Sequence, residues 1–269
     1  MYINERKVQI NLNQENRSRI FVALIAAPII AVFFLEKNLL ILGIIGICFI
    51  AEFEISLNYC SKLRSLLNSI FGTAVPLIGV MFFSTTLFLF INALFLMILS
   101  YFLFKKENPV QIANISQFYS GIVSWNLLFC VIQIPNIKYF LIVMLTAFAT
   151  DTFAFLIGKK FGKNHLSKKY SKNKTIEGAI GGWLAGMLIF AYLINLTNVG
   201  IDSMTFWLLL FSLPIICQIG DLYSSIIKRK IDIKDFSNFL LGHGGFLDRL
   251  DSIIAGAFYI NILFILELL

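Results

Sequence analysis

Long apolar runs, interrupted at short polar intervals, organise this chain. Residues 20–35 and 39–55 pass almost without charge, and a helix crossing a bilayer needs about 20 mostly apolar residues. The runs do not alternate apolar and polar positions, as the strands of a membrane β-barrel would. Continued along the chain, the pattern predicts about nine spans, near 20–35, 39–59, 65–83, 85–104, 113–133, 138–158, 178–199, 204–227 and 246–268. Asn68 makes the third span more polar than its neighbours, and Asn114 and Gln117 do the same for the fifth. The first run begins only at Ile20, behind a basic segment, and a second follows soon after, which favours a retained span over a cleaved signal peptide. The expectation is an all-α polytopic membrane protein. A cytoplasmic segment, 1–19, precedes a single membrane domain, 20–269, with neither internal repeat nor low-complexity linker.

Composition agrees with the pattern. Only 14% of the residues are charged, against about one quarter in soluble domains, and the mean hydropathy is +0.84. The net charge of +7 is unevenly distributed. With the N-terminus in the cytoplasm, 20 of the 22 basic residues fall on that side, and only Lys37 and Lys138 fall outside. This asymmetry fixes an orientation and supports an odd number of spans. It also gathers positive charge where anionic head groups and nucleotides are found. Cys48, Cys60, Cys130 and Cys217 form no CxxC pair and lie mostly in apolar runs, so they read as small buried hydrophobes.

Two basic cytoplasmic loops stand out. The first, GKKFGKNHLSKKYSKNKTIEGAIGG, runs from Gly158 to Gly182. The second, SIIKRKIDIKDFSNFLLGHGGFLDRLD, runs from Ser225 to Asp251 and holds five basic residues, four aspartates, a histidine and three glycines. Ordinary positive-inside loops explain the lysines but not the interleaved glycines and acids. Glycines let backbone N–H groups approach an anion, and Lys and Arg supply charge to phosphate oxygens. Asp151 and Asp221 lie inside the sixth and eighth spans, and Asp248 and Asp251 open the ninth, three apart and so on one helical face. Such acids are costly in lipid and need a partner or a cavity. Salt bridges to the loop lysines would satisfy them; so would Mg²⁺, which takes carboxylates together with substrate phosphates. His243, among glycines, suits a phosphate donor or a loop organiser, whereas His165 reads as a plain loop residue. Glu52 and Glu54 are two apart and point to different faces of the second span, where one is expected to pair with a basic group.

Ser225-Ile226-Ile227-Lys228-Arg229, Lys234-Asp235, His243-Gly244-Gly245 and Asp248-Arg249-Leu250-Asp251 closely resemble the signature of the phosphatidate cytidylyltransferases, also called CDP-diacylglycerol synthases. Leu241 replaces a usual proline. Asp151, followed by Gly158 and Gly162, resembles an earlier element of that family. Ser171, Lys174, Thr175, Glu177 and Gly178 resemble another, with Lys172 in place of proline. Ala51-Glu52-Phe53-Glu54 is similar to a weaker acidic and aromatic motif. The resemblance spans most of the chain and is specific over 151–182 and 221–252.

The resemblance implies that CTP and phosphatidate are joined, with Mg²⁺, to give CDP-diacylglycerol and pyrophosphate. It further implies metal ligation by Asp221 and Asp248, then Asp251 and Asp151, and a catalytic set of Lys228, Arg229, His243 and Arg249. Ser171, Lys174, Thr175, Glu177, Lys234, Asp235, Gly244 and Gly245 would bind substrate. The partners are then the two substrates and the bilayer of a bacterial plasma membrane. No nucleic acid is expected, and a homodimer stays open. A CTP-using polyprenol kinase or an archaeal-lipid cytidylyltransferase would share the chemistry. An anion transporter would place its charges near the midplane in two related halves, which this chain lacks. A non-catalytic scaffold would not need the full set of charged motif residues.

Overall fold

The computed structural model describes residues 32–82, 85–104, 109–167, 171–230, 233, 235–237 and 245–269. The segment 1–19 and most of the first expected span therefore lie outside the described residues. The helices are α1 (Lys37–Leu57), α2 (Lys62–Phe82), α3 (Thr85–Phe104), α4 (Pro109–Gln133), α5 (Lys138–Phe161), α6 (Ile176–Thr197), α7 (Ser203–Lys230) and α8 (Asp251–Ile265). Among the described residues, α1, α2, α5, α6 and α7 are each long and apolar enough to cross a bilayer. The chain is a mainly helical integral membrane protein.

Two features differ from the sequence expectation. The connector between α5 and α6 is not plain loop. Its strands β1 (His165–Ser167) and β2 (Ser171–Thr175) pair antiparallel, with His165 opposite Thr175. The lysine-rich segment has no apolar stripe to bury on a helix, so its backbone groups pair with each other instead. The helical bundle is as expected; His165, expected as a plain loop residue, lies in this short strand instead. The second difference is that α7 continues to Lys230, so Lys228, Arg229 and Lys230 are helical.

Helix α1 buries Leu40, Ile44, Cys48, Ala51 and Ile55. Spacings of three and four put these on one stripe, which packs against α2 and α4. Helices α5 and α6 approach more closely still. A Cβ on Gly178 would lie 2.6 Å from the Ala154 carbonyl oxygen, and one on Gly182 2.5 Å from that of Thr150. Small residues at such contacts let backbones meet, which is how helices gain packing where lipid offers no hydrophobic drive. These two glycines therefore serve the bundle, not the phosphate-facing backbone expected of the first loop. Phe155, Leu188 and Met204 point outward, as a lipid solvent permits.

Polar groups hold the interior at two depths. Asn126, on α4, donates to Asn92 Oδ1 of α3 at 2.8 Å, and Asn261 of α8 donates to the Asn126 carbonyl at 3.0 Å. All three asparagines are buried. Toward the end of the bundle where α1 begins, Lys37 donates to the carbonyls of Ile132 and Ile134, and Lys138 to that of Thr197. These are the two lysines that break the charge asymmetry, and each satisfies carbonyls at or just beyond a helix C-terminus. Asp202 caps α7 by accepting the Thr205 N–H at 3.0 Å. Hydrogen bonds from the Thr205 side chain and backbone hold its carboxyl below the usual range. All four cysteines are free, as expected.

Gly182→Val should lower the thermal midpoint of the purified protein, by overpacking worth about 1–3 kcal/mol. Gly46→Ala, where a Cβ would meet nothing within 4 Å, should leave it unchanged. Equal midpoints for the two variants would show that the α5–α6 contact does not need the glycine.

Candidate active site

The extra turn of α7 determines what the site looks like. It carries Lys228 inward, where Nζ lies 2.8 Å from Asp248 Oδ1 and 3.1 Å from Asp251 Oδ2. Asp248 sits in a 3₁₀ turn, Leu247–Arg249, and Asp251 is the first residue of α8. The expected shared face is thus realised, with one ammonium between the two carboxylates. All three side chains are 10% exposed or less, so each depends on the others, since a buried charge without a partner is far costlier than a pair. Asp248 Oδ2 also accepts the N–H groups of Gly245, at 2.8 Å, and Phe236, at 2.9 Å. The Phe236 ring lies 5.5 Å from Lys228 Nζ and stacks on Tyr119 at 5.8 Å.

The α5–α6 hairpin supplies a second ion pair. Lys174, on β2, lies 2.8 Å from Asp221 Oδ2 and 3.4 Å from Ser225 Oγ, both on α7. Asp151, on α5, accepts from Ser252 Oγ of α8 at 2.6 Å. Asp151 is within electrostatic reach of Asp221, Lys174 and Asp251, and Asp251 is within reach of Asp221 and Asp248. Four aspartates therefore gather around Lys174 and Lys228, and the carboxylates outnumber the ammonium groups. Among the described residues no three acids, histidines or thiols form a ready metal cage. Mg²⁺ does not require one, since it binds through one or two carboxylates plus phosphates. Asp221 is the most open of the paired aspartates, with its side chain 33% exposed; a cluster with excess negative charge and one open carboxylate fits such an ion.

The loop entering α8 is held from α1. Glu54 accepts the Phe246 N–H at 2.9 Å, the Leu247 N–H at 3.2 Å and Ser237 Oγ at 2.7 Å. Asn58 donates to the Phe236 carbonyl at 2.9 Å. A Cβ on Gly245 would lie 2.8 Å from Glu54 Oε2, so only glycine lets the loop come this close. The basic partner expected for Glu52 or Glu54 is absent among the described residues; backbone N–H groups take its place at Glu54. Sequence reasoning missed Glu54 and Asn58 as site-building residues. The available signal was an acid one turn from a helix end on the same face of the membrane as a glycine-rich loop.

The other expected residues divide. Thr175 caps α6, its Oγ1 accepting the Gly178 N–H at 3.1 Å. Glu177 ties the α5–β1 turn by accepting from Asn164 Nδ2 at 2.8 Å and from the Lys163 N–H at 3.1 Å. Arg229 is exposed and donates to the Ile233 carbonyl at 3.3 Å. Arg249 is exposed and Asp235 half-buried. Lys234, Leu241, His243 and Gly244 lie outside the described residues, and at Ser171 and Lys172 the backbone alone is described.

Residues 17–266 match the Cytidylyltransferase family. The chain belongs to this cytidylyltransferase family. It is 34% identical to the phosphatidate cytidylyltransferase of Aquifex aeolicus (strain VF5), over 87% of this chain and 85% of that protein. It is 29% identical to the phosphatidate cytidylyltransferase of Thermotoga maritima, over 88% of this chain and 92% of that protein. A third protein of that name, from Staphylococcus haemolyticus (strain JCSC1435), is 36% identical over 48% of this chain and 50% of its own length.

Glu54→Gln should loosen the 245–247 turn without unfolding the bundle. A glutamine offers one acceptor oxygen where the carboxylate offers two, and turns an N–H toward a donor. Loss of charge-assisted bonds worth about 1.5–3 kcal/mol should speed amide hydrogen exchange at Phe246 and Leu247 by about tenfold to a hundredfold. Unchanged exchange there would mean that Glu54 does not hold the turn.

Proposed function

We propose that this cytidylyltransferase transfers CMP from CTP to phosphatidate, giving CDP-diacylglycerol and pyrophosphate. The observation that carries the reading is the pairing of Lys228 with Asp248 and Asp251 beside the Lys174–Asp221 pair. Such pairs hold the lysines aligned in the site until phosphates compete for them. Full-length similarity to proteins named for this reaction supports the choice of substrates.

In this reading a phosphate oxygen of phosphatidate attacks the α-phosphorus of CTP. The new O–P bond forms as the bond to the bridging α–β oxygen breaks, and pyrophosphate leaves with those electrons. Lys174, Lys228 and Arg229 take up the charge on the triphosphate and the leaving group. Arg249, Lys234 and His243 serve the same anions from the loop, and Gly244 and Gly245 lend it backbone N–H groups. Asp221 and Asp248, backed by Asp251 and Asp151, would hold Mg²⁺, which would supply positive charge to offset that of the phosphates. Lys228 can then give up Asp248 for a phosphate oxygen while keeping Asp251, so the site never leaves that carboxylate unpaired. The half-buried setting favours the lipid phosphate over water as the nucleophile.

Nine spans with a cytoplasmic N-terminus belong to the same reading. They put the cluster on the face where CTP is found, in the plasma membrane of a bacterial cell, and the bacterial origin of the named relatives supports that location.

Purified protein with Mg²⁺, CTP and phosphatidate should release pyrophosphate and form a CDP-lipid, and EDTA should stop both. Asp221→Asn and Asp248→Asn should each lower kcat by about a hundredfold or more. Near-normal turnover in both variants would remove them from the site, and no product above a detergent blank would sink the reaction itself. A reporter fused after Leu269 should be accessible only from outside the cell; a cytoplasmic signal would mean an even number of spans.

A further inference from the structure

A cavity of about 430 Å³ lies between α1, α2, α3 and α4, with none of the four clustered aspartates in its lining. Its lining includes Glu52, Ser56, Asn68, Phe71, Val75 and Trp125. Glu52 is 5% exposed. Its Oε2 accepts from Ser120 Oγ at 2.6 Å, while its Oε1 makes no close hydrogen bond, the Ser124 hydroxyl being the polar group beside the carboxyl. No cation pairs with Glu52 among the described residues. The structure makes room for this carboxyl group, because a Cβ on Gly72 would lie 2.6 Å from Glu52 Cδ. Trp125 contributes a second buried polar group without a partner, its Nε1–H. A buried acid held only by neutral hydroxyl donors, with no cation, is expensive in a bilayer unless a ligand completes it.

We propose that this cavity binds a membrane lipid whose head group carries a primary ammonium, with the ammonium on Glu52. Three observations favour this occupant. Glu52 lies on α1 only two residues before Glu54, which contacts the site loop, so it sits near the head-group level of the cytoplasmic leaflet in the orientation proposed above. Phe71 and Val75, which line the cavity from α2, are 66% and 61% exposed, so an acyl chain reaches it from the lipid side. The lining also suits a cation: Glu52 offers a carboxylate, and no basic residue is among the described residues that line the cavity. Phosphatidate has no cation to offer, and an unpaired carboxylate repels its phosphate, so this is not a second seat for the proposed substrate. Nor does the described start of the chain cover the cavity. Phe33 packs where a Cβ on Gly43 would be, nine residues before Glu52 and so half a turn round the helix.

Native mass spectrometry of the purified full chain, released from mixed micelles, tests the proposal without relying on turnover. The probes are three diacyl phospholipids with matched chains, bearing ethanolamine, choline or glycerol head groups. The expected result is one retained ethanolamine lipid per chain, held at least about tenfold better than the other two, as one charge-assisted hydrogen bond would give. Glu52→Gln should abolish the preference. Val75→Trp, which fills the cavity from the lipid side and leaves the carboxyl group intact, should abolish retention at an unchanged thermal midpoint. Equal retention of choline lipid would overturn the role of the ammonium hydrogens, and preference for glycerol lipid would overturn the charge. Ethanolamine lipid kept by Val75→Trp would place it elsewhere, and this variant decides the matter if Glu52→Gln does not fold.

Discussion

An ionised side chain in a bilayer must have a partner, and the arrangement of this protein follows from how that need is met. Lys228 sits between Asp248 and Asp251 with its Nζ within 3.1 Å of both. The three residues come from the last turn of α7, the 3₁₀ turn after it and the first turn of α8. One ammonium thereby fixes the end of one helix against the start of the next. Phe236 and Gly245 are drawn in because Asp248 has a second oxygen to satisfy. Replacing the trio with apolar residues would pack as well and cost less desolvation, so stability is a poor reason for it. Charges held ready for phosphate are a better one.

The turn containing Gly245 is fastened twice, by Asp248 from within and by Glu54 from α1. The second fastening joins an early helix to the last one. Helix α1 thus has two tasks: its apolar stripe packs the bundle through α2 and α4, and its final turn positions a loop nearly two hundred residues later in sequence. Glu52, on the same turn, faces another way, toward the hydroxyls of Ser120 and Ser124. Two acids two residues apart thus enter unrelated surroundings, which follows from their roughly 200° separation around a helix.

Much of this was legible in the sequence. Apolar runs located the described helices, because bilayer thickness leaves little freedom in span length. Asp151, Asp221, Asp248 and Asp251 were singled out because acids are rare in such runs, and they do gather. What could not be read were long-range partners. Nothing local to Glu54 reveals that its acceptors meet N–H groups of residues 246 and 247. The glycines between 158 and 182 were legible as important but not as to why, since close backbone approach and anion binding both need a missing Cβ. Gly178 and Gly182 proved to answer a carbonyl oxygen across the helix pair. The β-hairpin was missed because a lysine-rich stretch carries no period, and backbone pairing alone forms it.

The two ends of the bundle are held by different chemistry, and the difference bears on function. Toward the start of α1, Lys37 and Lys138 bind backbone carbonyls, and deeper in the membrane Asn92, Asn126 and Asn261 bond across three helices. Those contacts run to neutral backbone carbonyls and amides, not to carboxylates that a cation could take over. At the other end the ties are ion pairs between lysines and aspartates, which a triphosphate and a divalent cation can each replace in kind. A lysine leaving an aspartate for a phosphate loses no charge pairing if a cation takes its place on the carboxylate. The interactions that order this end without substrate are therefore of the same type as those that would bind it, and exchanging them needs no rearrangement of the helices.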